Sequence, residues 1–156
     1  MKAIKPTKLL TAGLLNLLLS TLAFADPVSL EMNRADSGAF YINAELDVGV
    51  ETELLLDTGS SYVGLTRATF DRFSDESEPL FSRHIYGALA SGKVEKVPLY
   101  LLKSLKLADN CILEDIEVAV FPRADKNILG LNALSRLESF TLELASSRLT
   151  SAGCKA

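Results

Sequence analysis

Asp57-Thr58-Gly59-Ser60 closes an apolar run, because Leu54-Leu55-Leu56 leads straight into it. Three leucines read as a strand entering a core, and the next residue is a carboxylate. Burying such a group without a partner is costly, and it usually responds by a shift in its pKa. An acid aimed from the end of a strand is suited to proton transfer. Gly59 lets the backbone turn sharply, approach the carboxylate and offer it an N–H. Ser60 could donate a further hydrogen bond that favours the ionised form. A bare Asp-Thr-Gly is weak evidence, but this one follows an apolar strand and ends in a hydroxyl residue. A second strand exit, Ile128-Leu129-Gly130, follows about 70 residues later. Asp109, Asp115 and Asp125 lack the Thr/Ser-Gly that follows Asp57.

Other chemistries find no support in the chain. There is no G-x-S-x-G, no P-loop and no H-E-x-x-H. His84 is the single histidine, beside Arg83 in a strand-like context, and reads as surface or satisfied core. Cys111 and Cys154 match no metal-ligand spacing, and one histidine completes no zinc set, so no metal or cofactor is expected. The two cysteines either bridge within the chain or remain unpaired or intermolecular. Spacing does not decide between these.

The elements that must position Asp57 are mostly strands. Phe40, Ile42, Ala44 and Leu46 alternate with Tyr41, Asn43 and Glu45, the period of a half-buried strand. Asp47-Val48-Gly49 turns the chain, and Val50 to Leu56 returns to deliver Asp57. Tyr62 to Leu65 is a short strand, and Thr66 is placed to cap a helix from Arg67 to Phe73. Asp71 to Pro79 reads as a solvated acidic loop. Ile85-Tyr86 and Val94 to Leu102 flank Ala90-Ser91-Gly92-Lys93 as the arms of a hairpin. Leu105 to Leu107, the Asp109-Asn110 turn and an alternating strand from Ile112 to Phe121 follow, with a phase break near Leu113. Leu131 to Leu137 reads as a short helix, and Phe140, Leu142 and Leu144 as a strand before the Ser146-Ser147 turn and Arg148 to Thr150. Many short strands with close-spaced turns and one or two short helices predict an all-β fold, a barrel or a sandwich.

In this order the elements resemble the single-domain aspartic proteases of the retroviral type, and more closely their bacterial exported relatives. The resemblance runs from Phe40 to Thr150. It rests on the hairpin turning at Gly49, then "LLLDTGSSYVGLT", "LASGKVEKVPL", "LEDIEVAVF", "NILGLNALSRL", "FTLEL" and "SRLT". It implies a closed, barrel-like acid protease fold in which Ala90, Ser91 and Gly92 form the tip of a flap over an extended peptide. Peptide hydrolysis in such a site uses water held between two carboxylates, one ionised as general base and one protonated to polarise the scissile carbonyl. Two carboxylates about 3 Å apart cannot both ionise, so the proton is shared by the pair. The resemblance gives Asp57 the catalytic role and Thr58 a hydrogen bond to the opposing loop. Gly59 would bring its N–H to the carboxylates, and Gly130 would pack beneath the Asp loop. With one Asp-Thr-Gly per chain, it also implies a two-fold homodimer in which each subunit supplies one Asp57. The alternative is a dimeric peptide-binding module on the same fold, without turnover.

Residues 1–25 form a segment of a different kind. Lys2, Lys5 and Lys8 precede an apolar stretch from Leu9 to Phe24 that ends in Ala23-Phe24-Ala25. A basic start, an apolar middle and an A-x-A end predict a secretory signal cleaved after Ala25, and hence an exported, periplasmic protein. An uncleaved anchor is the competing reading, but Thr11, Asn16, Ser20 and Thr21 interrupt the stretch and it is short for a span of about 20 residues. The expected organisation is 1–25 signal, 26–39 polar lead-in with one short apolar run from Val28 to Met32, 40–150 protease-like domain and 151–156 tail. The whole chain carries 16 Lys+Arg and 20 Asp+Glu. Removing three lysines leaves thirteen cations against twenty anions, a net charge of −7. That balance argues against nucleic acid or an anionic membrane as partner, and leaves a peptide or protein substrate and a second copy of the chain.

Overall fold

The computed structural model describes residues 26–88 and 92–155, apart from the side chain of Val48. The first strand, β1, is Val28–Arg34, with Val28, Leu30 and Met32 buried on one face. β2 (Phe40–Leu46) and β3 (Val50–Leu56) form the expected hairpin around a 3-10 turn at Asp47–Gly49, where Gly49 has φ +82°. β4 (Val63–Thr66) leads into α1 (Arg67–Glu76). The Thr66 hydroxyl caps that helix by accepting from Thr69 N at 3.1 Å, as the sequence predicts. β5 (Leu80–Ala88) and β6 (Val94–Ala108) pair antiparallel, and β7 (Cys111–Phe121) pairs with β6 on its other side. β8 (Asn127–Leu129), α2 (Leu131–Leu134), β9 (Leu137–Glu138), β10 (Thr141–Glu143), β11 (Arg148–Ser151) and β12 (Gly153–Cys154) complete the order.

Strands β2, β3, β8, β4, β7 and β6 are hydrogen-bonded in that sequence, and β6 pairs back to β2 through Glu45–Lys106 and Leu46–Leu105. This closes a six-stranded barrel, so the all-β, barrel-like expectation is borne out. Closure leaves none of these six strands as a sheet edge. Leu54, Leu65, Leu102, Leu105, Leu113, Val118 and Leu129 fill it and are fully buried. At about 25 cal/mol per Å² of apolar surface, each such leucine contributes about 1.5–3 kcal/mol of burial. β1, β11 and β10 extend the sheet beyond β2, and β5 extends it beyond β6.

Several elements differ from the sequence reading. Residues 26–39 are not only a polar lead-in, because β1 pairs with both β2 and β11. The acidic stretch is helical through Glu76, its apolar face held by Phe70 and Phe73. Leu105 to Leu107 belongs to the single long strand β6, which serves β5 at one end and β2 at the other. In β7 the alternation slips at Asp115, which has φ +51°, so Leu113 and Ile116 both face inward. Ala119 is buried in a second small cluster with Val97 and Leu99. α2 stops at Leu134, and Leu137 instead pairs in β9 with Cys154 of β12. The tail is therefore structured. Cys111 and Cys154 form an intrachain disulfide with Cα atoms 5.3 Å apart, which decides between the open alternatives for the cysteines.

One buried carboxylate escaped the sequence reading. Asp47, in the β2–β3 turn, accepts from Lys103 N at 2.9 Å, from Ser104 N, and from Ser104 Oγ at 3.0 Å. A buried acid satisfied by backbone donors is a structural tie. It fastens the hairpin that delivers Asp57 to the middle of β6.

Candidate active site

β3 and β8 run parallel, with Leu56 opposite Leu129, so Asp57 and Gly130 leave the barrel side by side. Asp57 N donates to Leu129 O at 3.2 Å, which carries the pairing one residue past the strand. The Asp57 carboxylate is half-buried and accepts from Gly59 N at 2.8 Å. The chain then turns, with Ser60 N donating to Asp57 O at 3.3 Å. Leu131 N donates to Ser60 O at 2.7 Å and Asn132 N to Ser61 O at 3.1 Å, so the start of α2 clamps the loop from below.

Gly130 has an ordinary extended backbone, and its requirement for glycine is one of space. A Cβ there would overlap the Tyr62 carbonyl and come within 2.9 Å of Ser60 O. Both are backbone atoms fixed by the clamp, and no flexible side chain could move aside. Gly130 thus lies beneath the Asp loop, and Gly59 brings its N–H to the carboxylate. Ser60 is a correction. Its hydroxyl donates to Tyr62 O at 3.1 Å, and a hydroxyl has one proton to give, so it holds the turn and does not donate to Asp57. Thr58 is exposed and makes no side-chain hydrogen bond to the described residues. Of the three proposed flap-tip residues, Ala90 and Ser91 lie outside the described residues. Gly92 is exposed with φ +77°, a conformation suited to glycine at the start of the returning arm.

Two asparagines that the sequence reading passed over hold the frame. Asn132 Oδ1 accepts from Val63 N and its Nδ2 donates to Glu117 O, both at 2.8 Å, so it ties α2 to β4 and β7. Asn127 Oδ1 accepts from Thr66 N at 2.8 Å, and its Nδ2 donates to the hydroxyls of Thr52 and Thr69. The available signal was the pair of asparagines in the otherwise apolar "NILGLNAL".

Asp57 opens on a groove of about 860 Å³ between the loop and the arms of the β5–β6 hairpin. Tyr62, Ile85, Phe121 and Ile128 form its apolar walls. Glu95 on β6 and Arg123 after β7 are ion-paired within its lining. A second depression, about 710 Å³, lies around the β2–β3 hairpin and shares no lining residue with the groove. Beside the groove, Arg83 bonds both Tyr62 and Glu117. The Tyr62 hydroxyl first, and the Glu117 carboxylate second, raise the guanidinium above its already high ordinary pKa, so it is a fixed cation. Among the described residues no group of three or more His, Cys, Asp or Glu side chains is arranged to hold a metal ion.

The family model described as "gag-polyprotein putative aspartyl protease" matches residues 42–136, from within β2 to just past α2. The chain belongs to this retropepsin-like aspartyl protease family. The crystal structure of a retropepsin-like aspartic protease from Rickettsia conorii superposes with a TM-score of 0.57 at 23% identity, over 80% of this chain and 88% of that one. At that identity the likeness shows the fold. No curated protein sequence matches the chain. The family resemblance read from the order of the motifs is therefore borne out, and the aspartyl protease fold carries its single Asp-Thr-Gly at the mouth of an open groove.

Proposed function

We propose that this aspartyl protease family member is an endopeptidase that acts as a homodimer, with water activated between the Asp57 carboxylates of the two subunits. The observation that carries the reading is the Asp57 carboxylate itself. It is oriented by Gly59 N at 2.8 Å, half-buried, and open to a groove long enough in volume for several residues of an extended peptide. One carboxylate can serve as base or as acid, but not as both in one step, so the chemistry calls for a second. The chain carries one Asp-Thr-Gly, since Asp36-Ser37-Gly38 stands in the exposed turn between β1 and β2, and a two-fold axis brings a residue to its own copy. Thr58 is exposed beside Asp57 and free to bond across that axis. The β5–β6 hairpin, with Gly92 near its tip, would close over the substrate as a flap and pair with its backbone.

Asp57→Asn tests the chemistry. Wild type should cleave peptides between pH 4 and 7, and the variant should lose activity by at least about 10³-fold while keeping its fold. Full activity in the variant would refute the assignment. A wild type that binds peptides without cutting any would support the alternative, a dimeric peptide-binding module. Sedimentation of the protein should give a dimer at micromolar concentration, and a strict monomer would remove the second carboxylate.

We also propose that residues 1–25 direct export to the periplasm and are removed after Ala25. The support is the basic start, the apolar middle and the A-x-A end. N-terminal sequencing of the protein recovered from the periplasm should begin at Asp26, and recovery only with the cytoplasm would count against export.

A further inference from the structure

The pairing of β5 with β6 slips between Phe81 and Arg83, leaving a bulge at Ser82. In a regular strand, consecutive side chains point to opposite faces. Here both reach the same carboxylate: Ser82 Oγ donates to Glu117 Oε1 at 2.7 Å, and Arg83 binds Glu117 through both Nη atoms, with Nη2 at 2.7 Å from Oε2. Bulges re-aim side chains, and they are over-represented near active sites. The arm of Arg83 crosses β6 to reach β7, and from there its Nη2 donates to Tyr62 Oη at 3.3 Å.

Stability alone is a poor account of this arrangement. The Arg83 side chain is half exposed, and exposed ion pairs contribute about 0–1 kcal/mol. What the network does touch is Tyr62. That residue follows the Asp loop, its carbonyl seats against Gly130, and its ring forms a wall of the groove together with Ile85 and Phe121. The ring is packed against Val97, Leu99 and Ala119, and the hydrogen bond from Arg83 fixes its hydroxyl end.

We propose that Arg83, aimed by the Ser82 bulge and held in place by Glu117, is a positioning residue that fixes the Tyr62 ring as a wall of the substrate groove and so sets which peptide side chains the groove accepts. This deepens the proposed peptidase and rests on that reading for its substrate. It links the base of the flap arm to the loop that carries Asp57, so substrate fit depends on a residue that touches neither the substrate nor the reacting atoms.

The test uses Arg83→Met, Tyr62→Phe and the double variant on the full mature chain, with the best-cleaved peptide from a random-sequence fluorogenic library. Each single variant should raise KM about three- to tenfold, the range of one ordinary hydrogen bond, and leave kcat within about twofold. The double variant should be no worse than the more affected single one, because both remove the same link. Unchanged KM in both singles, or effects that multiply in the double, would overturn the proposal. A second readout does not need turnover. In protein carrying 13C-labelled tyrosine rings, the signal absent from Tyr62→Phe should shift in Arg83→Met, and an unmoved signal would overturn the proposal. If wild type cleaves no peptide yet that signal moves, the protease reading fails while the positioning of Tyr62 stands.

Discussion

At the scale of single residues, the site is a carboxylate set by its neighbours' backbone. Gly59 supplies an N–H to Asp57, and Gly130 supplies absence, the lack of a side chain where the Tyr62 carbonyl must sit. Replacing Gly130 with Ala should therefore cost about 3 kcal/mol or more, since overpacking against fixed backbone has no side chain to displace. Chemical denaturation of the variant against wild type measures it, and a loss below about 0.5 kcal/mol would show that the loop can yield. Residues of this kind differ in how far they can be read from sequence. Gly130 was legible because a glycine ends an apolar strand and opens a helix. The Ser60 hydroxyl was misassigned because its distance to Tyr62 O depends on a turn that only the folded loop defines. Asn132 was illegible, since its partners lie 15 and 69 residues away in the chain.

At the scale of elements, alternation and turn residues located β2, β3 and most of β7, and Thr66 marked the start of α1. Failures cluster where one element serves two neighbours. β6 reads as two strands because it changes partners along its length, and β1 reads as a lead-in because its partners, β2 and β11, stand at opposite ends of the chain. The disulfide belongs to this scale too. It joins β7 to β12 and closes a loop across 43 residues. Chain entropy assigns such a link about 4 kcal/mol, and observed losses on removal run about 2–5 kcal/mol. The Cys111→Ser, Cys154→Ser double variant should thus unfold at lower denaturant, while retaining the Asp57 loop, whose clamps do not involve either cysteine. An unchanged midpoint with both thiols absent would show that the link adds nothing to the fold.

At the scale of the whole molecule, the barrel supplies rigidity and a second copy would supply chemistry. If two Asp57 carboxylates share a proton, activity should fall on both sides of an optimum. In acid both are protonated and the base is lost; in alkali both are ionised and the acid is lost. A bell-shaped profile of kcat/KM is expected, and a single-limbed one would argue for a lone acting group. Specific activity should also fall on dilution, as dimers dissociate. A rate per subunit that stays constant across a thousandfold dilution about the monomer–dimer midpoint would count against the shared site.

By itself, the sequence determined the fold class, the hairpin that carries Asp57, the glycines under and beside it, and membership of the family that this order of motifs marks. Those are local matters, written in period-two burial, turn residues and one strand exit followed by Thr-Gly. The tertiary structure alone decided the pairing of Cys111 with Cys154, the pairing of β1 and of β12 with their neighbours, the asparagine ties, and the reach of Arg83 to Tyr62. Each of these is a meeting of side chains far apart in the chain. Composition and spacing say that such groups exist, but barrel closure and the bulge at Ser82 determine which of them touch.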